Sequence, residues 1–176
     1  LNLETYFIEG SIKINGLPES IVSDGSYLWV AISSGSTVEK ISLETHEIVE
    51  TIEVGNGPQQ MLLDGNLLWI SRTYYSTDWA ETYYGTTQIN IQTGVVTIRE
   101  YGVGTVCGGD MMIIAGEVYR TFEGGVAPLL MDLKLDRSAK IGTYSINSLY
   151  SAGSKNNNVF MGITSDFQAP DTVYVH

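Results

Sequence analysis

The densest run of side chains able to make directed contacts lies between positions 72 and 85. Arg72, Tyr74, Tyr75, Asp78, Trp79, Tyr83 and Tyr84 fall within fourteen residues, five of the seven are aromatic, and Ser and Thr hydroxyls lie between them. Tyr and Trp give rigid amphipathic contact area at low entropy cost, which suits protein interfaces and the faces of sugar rings. These seven are the candidate ligand- or partner-binding residues. The competing reading is a long hairpin whose aromatics pack on the adjacent sheet.

Catalytic chemistry has less to build on. His46 and His176 are the two histidines, the first in a polar turn and the second at the last position. Neither has the spacing of a metal site, and no G-x-S-x-G turn supports a nucleophilic serine. Cys107 is the single cysteine, so it forms no intramolecular disulfide; it reads as a small buried apolar residue in the stretch from Thr105 to Ile114. Glu117, Glu123, Asp132 and Asp136 read as a solvated acidic face. Gly102, Gly104, Gly108 and Gly109 precede no helical pattern and make no phosphate loop. The sequence therefore assigns no catalytic residue, no metal ligand and no cofactor.

Charge narrows the partners. The formal net charge is −11, and nine Lys and Arg are scattered along 176 residues. Nucleic-acid binding without sequence preference needs clustered cations, so it is not expected. The apolar runs, such as Met111 to Ala115, are far shorter than the roughly 20 residues of a membrane-spanning helix.

What positions the aromatic stretch is a repeat. From Ser20 the chain reads as an apolar strand, Asp24-Gly25, the strand Tyr27 to Ala31, a Ser/Gly turn, the strand Thr37 to Ile41, the turn Leu43-Glu44-Thr45, and the strand Ile48 to Ile52. Alternation of period two between turn residues predicts an antiparallel meander. Met61 to Ile70 repeats the first two strands and places Trp69 forty residues after Trp29. Met111 to Phe122 is a third copy and Ser151 to Gly162 a fourth. The turns beginning at Leu3, Leu43, Ile91 and Leu135 follow at steps of 40, 48 and 44 residues. Trp29 and Trp69, at equal places in two copies, are expected between sheets.

The two ends complement each other. Leu1 to Ile14 matches the turn and outer strand of Ile41 to Val54, and Asp171 to His176 matches a third strand. Joining them restores a step of 44 residues. The expectation is one all-β domain, a four-bladed β-propeller of four-stranded antiparallel blades. Its repeats run roughly 15–54, 55–101, 102–145, and 146–176 plus 1–14, with the N-terminal strand closing the last blade. A four-blade window of a larger propeller, and strand exchange between copies, are the alternatives.

Pro18, Ile21, Asp24, Gly25, Trp29, Thr37, Val38, Ile41, Leu43 and Thr45, with Pro58, Leu63, Asp64, Gly65, Trp69 and Gly94 in the second copy, carry a resemblance to YVTN/NHL-type propeller repeats and to virginiamycin B lyase-like repeats. The resemblance covers residues 1–70 well and weakens after about 97. It implies a propeller fold. The lyase activity rests on a histidine with metal-binding acidic residues, and no histidine here stands at a matching repeat position, so that activity is not carried over.

Low charge, richness in Tyr, Ser, Thr and Gly, and the aromatic stretch lead to the expected function. It is a non-catalytic propeller on a cell surface, an extracellular appendage or a virion, making protein–protein, self-assembly or glycan contacts. The rival readings are a metal-dependent propeller lyase or lactonase, and a fragment of a larger propeller sensor or receptor.

Overall fold

Short turns with Gly or Asn in the left-handed region let each strand fold back on the last, as two-residue hairpins require. Ala115 and Gly116 have φ 51° and 85°, and Asn156 and Asn157 have φ 52° and 63°, at matching turns of the third and fourth repeats. A computed structural model describes residues 4–8, 10–104, 109–142, 149–163 and 172–176. Cys107 and the closing residues 1–3 lie outside them.

The strands gather into four antiparallel sheets. Blade 1 is β1 (Pro18–Ser23), β2 (Tyr27–Ile32), β3 (Thr37–Ser42) and β4 (Ile48–Glu53). Blade 2 is β5 (Pro58–Asp64), β6 (Leu67–Tyr75), β7 (Thr82–Asn90) and β8 (Val96–Val103). Blade 3 is β9 (Met111–Ile114), β10 (Glu117–Phe122) and β11 (Gly125–Pro128). Blade 4 is β12 (Leu149–Lys155), β13 (Asn158–Ile163) and β14 (Thr172–Val175). The chain is a four-bladed all-β propeller.

Period-two alternation sends each sheet's apolar residues to both faces, and successive blades cover them. Trp29, Ala31 and Val38 of blade 1 meet Met61, Leu68 and Ile70 of blade 2. Trp69 faces the other way, onto Val118, Leu129 and Leu133 of blade 3. Met112, Ile114 and Val126 of blade 3 then meet Val159 and Met161 of blade 4. Both tryptophans are buried between blades, as their spacing predicts. Their polar ends differ: Trp29 Nε1 donates to Asp24 Oδ2 at 2.9 Å, whereas Trp69 Nε1 is buried with no hydrogen-bond partner.

Polar ties repeat with the blades. Ser20 Oγ accepts from Met61 N at 3.1 Å between blades 1 and 2. Asp110 Oδ2, at the matching position of blade 3, accepts from Ala152 N of blade 4 at 2.8 Å. Between blades 2 and 3 the tie is a cation. The Arg120 side chain is fully buried and donates to the carbonyl oxygens of Gly85 and Arg72 and to Thr86 Oγ1, all on blade 2. Burial pulls its guanidinium down to about 10, which leaves it charged at neutral pH. No carboxylate among the described residues pairs with it.

Two expected strands fall partly outside the described residues. Blade 3 shows three regular strands, and the outer strand expected up to position 145 runs into residues 143–148, which lie outside them. Ahead of these the chain bridges at Leu129–Leu135, makes a 3-10 turn at Arg137–Ala139 capped by Asp136, and returns as one bridge from Ile141 to Val126. The expected closing strand is also not regular where it is described: Gly10–Ile14 carry no strand. Ile14 packs instead on Val30, Ile32 and Ile41 of blade 1, and Asn15 Nδ2 donates to the buried Glu39 Oε1 at 2.6 Å. A ring closed through the first residues and a four-blade stretch of a larger propeller are both compatible with this arrangement.

Two outcomes follow from these ties. Burial raises the Asp110 carboxyl above its ordinary value, against the opposing pull of the Ala152 amide. Folding thus favours the protonated form: stability is full below about pH 4 and falls as pH rises through the folded-state value. Asp110→Asn keeps an acceptor for Ala152 N without the charge. Its denaturant midpoint should exceed that of the parent at pH 7 and match it near pH 3, and an equal gap at both pH values would refute the account. Arg120→Ala leaves buried acceptors on β6 and β7 of blade 2 unmet and should cost on the order of 3 kcal/mol in urea unfolding. A loss under about 1 kcal/mol would show the tie to be dispensable.

Candidate functional site

Strands β6 and β7 are nine residues each, against six for β2 and β3. Pairing continues through Arg72–Gly85, Thr73–Tyr84, Tyr74–Tyr83 and Tyr75–Thr82. The aromatic stretch is therefore largely strand, projecting from blade 2, and the loop proper is Ser76–Glu81. Alternation along this extension decides where each candidate points.

Arg72 and Tyr84 are drawn inward. Both are buried; Arg72 is fully so, which corrects the expectation that it contacts a ligand at the surface, and Tyr84 is turned away from the tip toward blade 3. Arg72 Nη2 meets Glu100 Oε1 at 2.6 Å and the Arg99 carbonyl oxygen at 3.3 Å, and Nη1 reaches the Asn56 carbonyl oxygen at 3.5 Å. The slot it fills exists because Gly55 and Gly85 have no Cβ; one at either place would run into the guanidinium. Tyr84, on the opposite face, packs on Phe122 and Ala127 of blade 3. The packed-hairpin reading thus holds for these two residues.

The other five stand at the tip. Tyr74 and Tyr83 stack across the strands, 5.2 Å between centroids and 10° apart in plane. Burial and the nearby Glu100 push the Tyr74 phenol above its ordinary value. Tyr83 Oη donates to Glu81 Oε2 at 2.5 Å, and that bond raises its phenol too. Asp78 organises the loop: its Oδ1 accepts from Ser76 Oγ at 2.5 Å and from Ala80 N at 3.2 Å, and the Ser76 bond holds its carboxyl below the usual range. Trp79 N donates to Ser76 O at 2.9 Å, which closes the turn and forces Trp79 to φ 60°. A bulky residue in the left-handed region is strained by roughly 1 kcal/mol or more. Trp79 is 76% exposed, with its ring 5.1 Å from that of Tyr75, itself 53% exposed.

Beside this pair lies an open cleft of about 540 Å³. Its far wall is the Ser33–Gly35 turn of blade 1, and its floor is the segment from Asn56 to Gln59 that links blades 1 and 2. Gly57 links the two blades there: its N donates to Gly35 O at 3.0 Å, and its O accepts from Thr73 N at 2.9 Å. Ser34, Asn56, Gln59, Tyr74 and Thr77 line the cleft with hydroxyls and amides, and Glu19 is its one charged lining residue. Ser34 and Thr73 were not among the candidates; the small-residue run Ser33–Gly35 was the signal for the first. Among the described residues, no three His, Cys, Asp or Glu side chains converge as a metal site.

No protein-family model and no curated protein matches the chain. Solved structures do match its fold. The computationally designed Ika4 protein superposes with a TM-score of 0.65 at 12% identity, over 94% of each chain. BamB from Moraxella catarrhalis gives 0.58 at 16% identity, over 91% of this chain and 41% of that one. The β-propeller domain of Cps50 (Swd1) from Myceliophteria thermophila gives 0.57 at 10% identity, over 99% and 63%. The chain thus spans about half the length of several propellers it matches. These neighbours have mixed functions and share the fold alone; the YVTN/NHL family itself is not established, and the chain is similar to β-propellers in general.

Proposed function

We propose that this propeller is a non-catalytic recognition module, displayed on a cell surface, an extracellular appendage or a virion, that binds a neutral saccharide at the β6–β7 tip. The observation that carries this reading is the exposed Tyr75–Trp79 pair at the rim of a cleft lined by hydroxyls and amides. A sugar ring offers C–H groups on its faces and hydroxyls at its edge. The aromatic pair meets the first, and Ser34, Asn56, Gln59 and Thr77 meet the second. With one carboxylate and no cation in its lining, the cleft favours a neutral ligand over an anionic one.

The strained Trp79 supports the same reading. Left-handed φ at a large residue persists only where the surroundings impose it, and such strain gathers at ligand sites. Glycine would adopt this φ without cost. Trp79→Gly is therefore expected to leave the unfolding free energy unchanged or raise it by about 1 kcal/mol, while lowering affinity for the best-bound oligosaccharide of a neutral panel at least tenfold. Calorimetric titration and urea unfolding of the same preparation check both. Should no neutral saccharide bind, and a protein partner depend on Trp79 instead, the tip is a protein interface; binding untouched by the substitution would remove the tip from function altogether.

A further inference from the structure

A second cleft opens on the other side of blade 2, where it meets blade 3. It has a volume of about 470 Å³. Its floor is aromatic, made by Tyr84, Tyr101 and Phe122, and its rim is cationic, made by Arg99, Lys134 and Arg137. Behind the floor, the buried Arg120 sets its guanidinium carbon 5.8 Å from the Tyr84 ring centre and 5.7 Å from that of Tyr101. Four of the chain's nine Lys and Arg thus gather at one place in a molecule of net charge −11.

The local balance is positive. Asp132 is shared by two rim cations: its Oδ2 lies 2.6 Å from Lys134 Nζ and 3.5 Å from Arg99 Nη2. Glu123 Oε1 lies 3.5 Å from Arg137 Nη2. Arg120 has only carbonyl and hydroxyl acceptors, so its charge is not cancelled at short range. The rim pairs are exposed, with Lys134 and Arg137 side chains at 60% and 71%, and exposed pairs hold their partners weakly. An incoming anion can take their place.

We propose that this cleft binds a small organic anion, a carboxylate or phosphate carried on a flat apolar body. The rim cations take the charge. Arg137 already lies over Phe122, 4.9 Å from its ring centre, which leaves its guanidinium edge free to fork onto two oxygens. The flat body lies along Val103, Leu135 and the tyrosines of the floor. The Tyr84 hydroxyl, which makes no hydrogen bond among the described residues, faces it. This site is separate from the tip cleft in residues and in ligand charge, so either can fail without the other.

Phenyl phosphate is the probe, with inorganic phosphate and benzyl alcohol as controls carrying one feature each. Calorimetric titration should give one-to-one binding of phenyl phosphate at least tenfold tighter than either control, weakening as salt is raised. The double variant Lys134→Glu/Arg137→Glu should lose at least tenfold, and Glu123→Gln, which frees Arg137, should gain. All three residues are at the surface, and near-ultraviolet circular dichroism confirms the fold of each variant. Phenyl phosphate that binds no more tightly than inorganic phosphate, or binding indifferent to salt and to charge reversal, overturns the proposal.

Discussion

A blade with apolar residues on both faces cannot stand alone, and every other feature of this chain depends on that constraint. A short sheet exposes Trp29 on one side and Val30 on the other, and only a neighbouring sheet can remove both from water. Stacking therefore propagates: each blade's forward aromatic needs the backward aliphatics of the next. The same rule marks where stacking is incomplete. On the backward face of blade 1, Ile14 covers Val30, Ile32 and Ile41, while Ile21 remains 60% exposed. That face is where a ring would close or where further blades would follow.

Between blades 2 and 3 the constraint is met differently, and the difference fixes the base of the long hairpin. At the backward-facing position held by Ile70 in blade 2, blade 3 carries Arg120. A buried cation is costly unless its donors are satisfied. Blade 2 supplies the acceptors through Arg72, Gly85 and Thr86, the residues from which the long hairpin rises. Arg72 in turn donates to the Asn56 carbonyl and to Glu100. The loop between blades, the base of the hairpin and blade 3 are thus locked in one polar network. On the proposed reading the tip presents aromatic rings in a fixed geometry, and such a base serves it because packing along one hairpin leaves its tilt undetermined.

The blade count and the packing of both tryptophans were legible in the sequence, because each rests on period two or on repeat spacing. Arg72 and Tyr84 were not. Taken as loop residues they have no face; taken as strand residues they alternate inward, and only the continued pairing from Ile70 to Tyr75 distinguishes the cases. Gly55 and Gly85 held the clue, since each makes room for a guanidinium, but a glycine in sequence does not say what approaches it. In blade 3 the turn read at Leu135 and Asp136 does follow an outer-side bridge, Leu129 to Leu135, and the chain comes back to pair Ile141 with Val126.

The tip can now be separated into parts that support and parts that present. Arg72, Glu100 and the stacked Tyr74–Tyr83 pair act along the hairpin and hold it upright. Ser76 and Asp78 close the turn by local hydrogen bonds that would form in a hairpin with any residue at the next position. Nothing in this bonding calls for an indole at position 79, and the backbone there disfavours one. Trp79 is thus a point at which the backbone conformation and the exposed ring oppose each other, and on the proposed reading that ring is what meets the ligand.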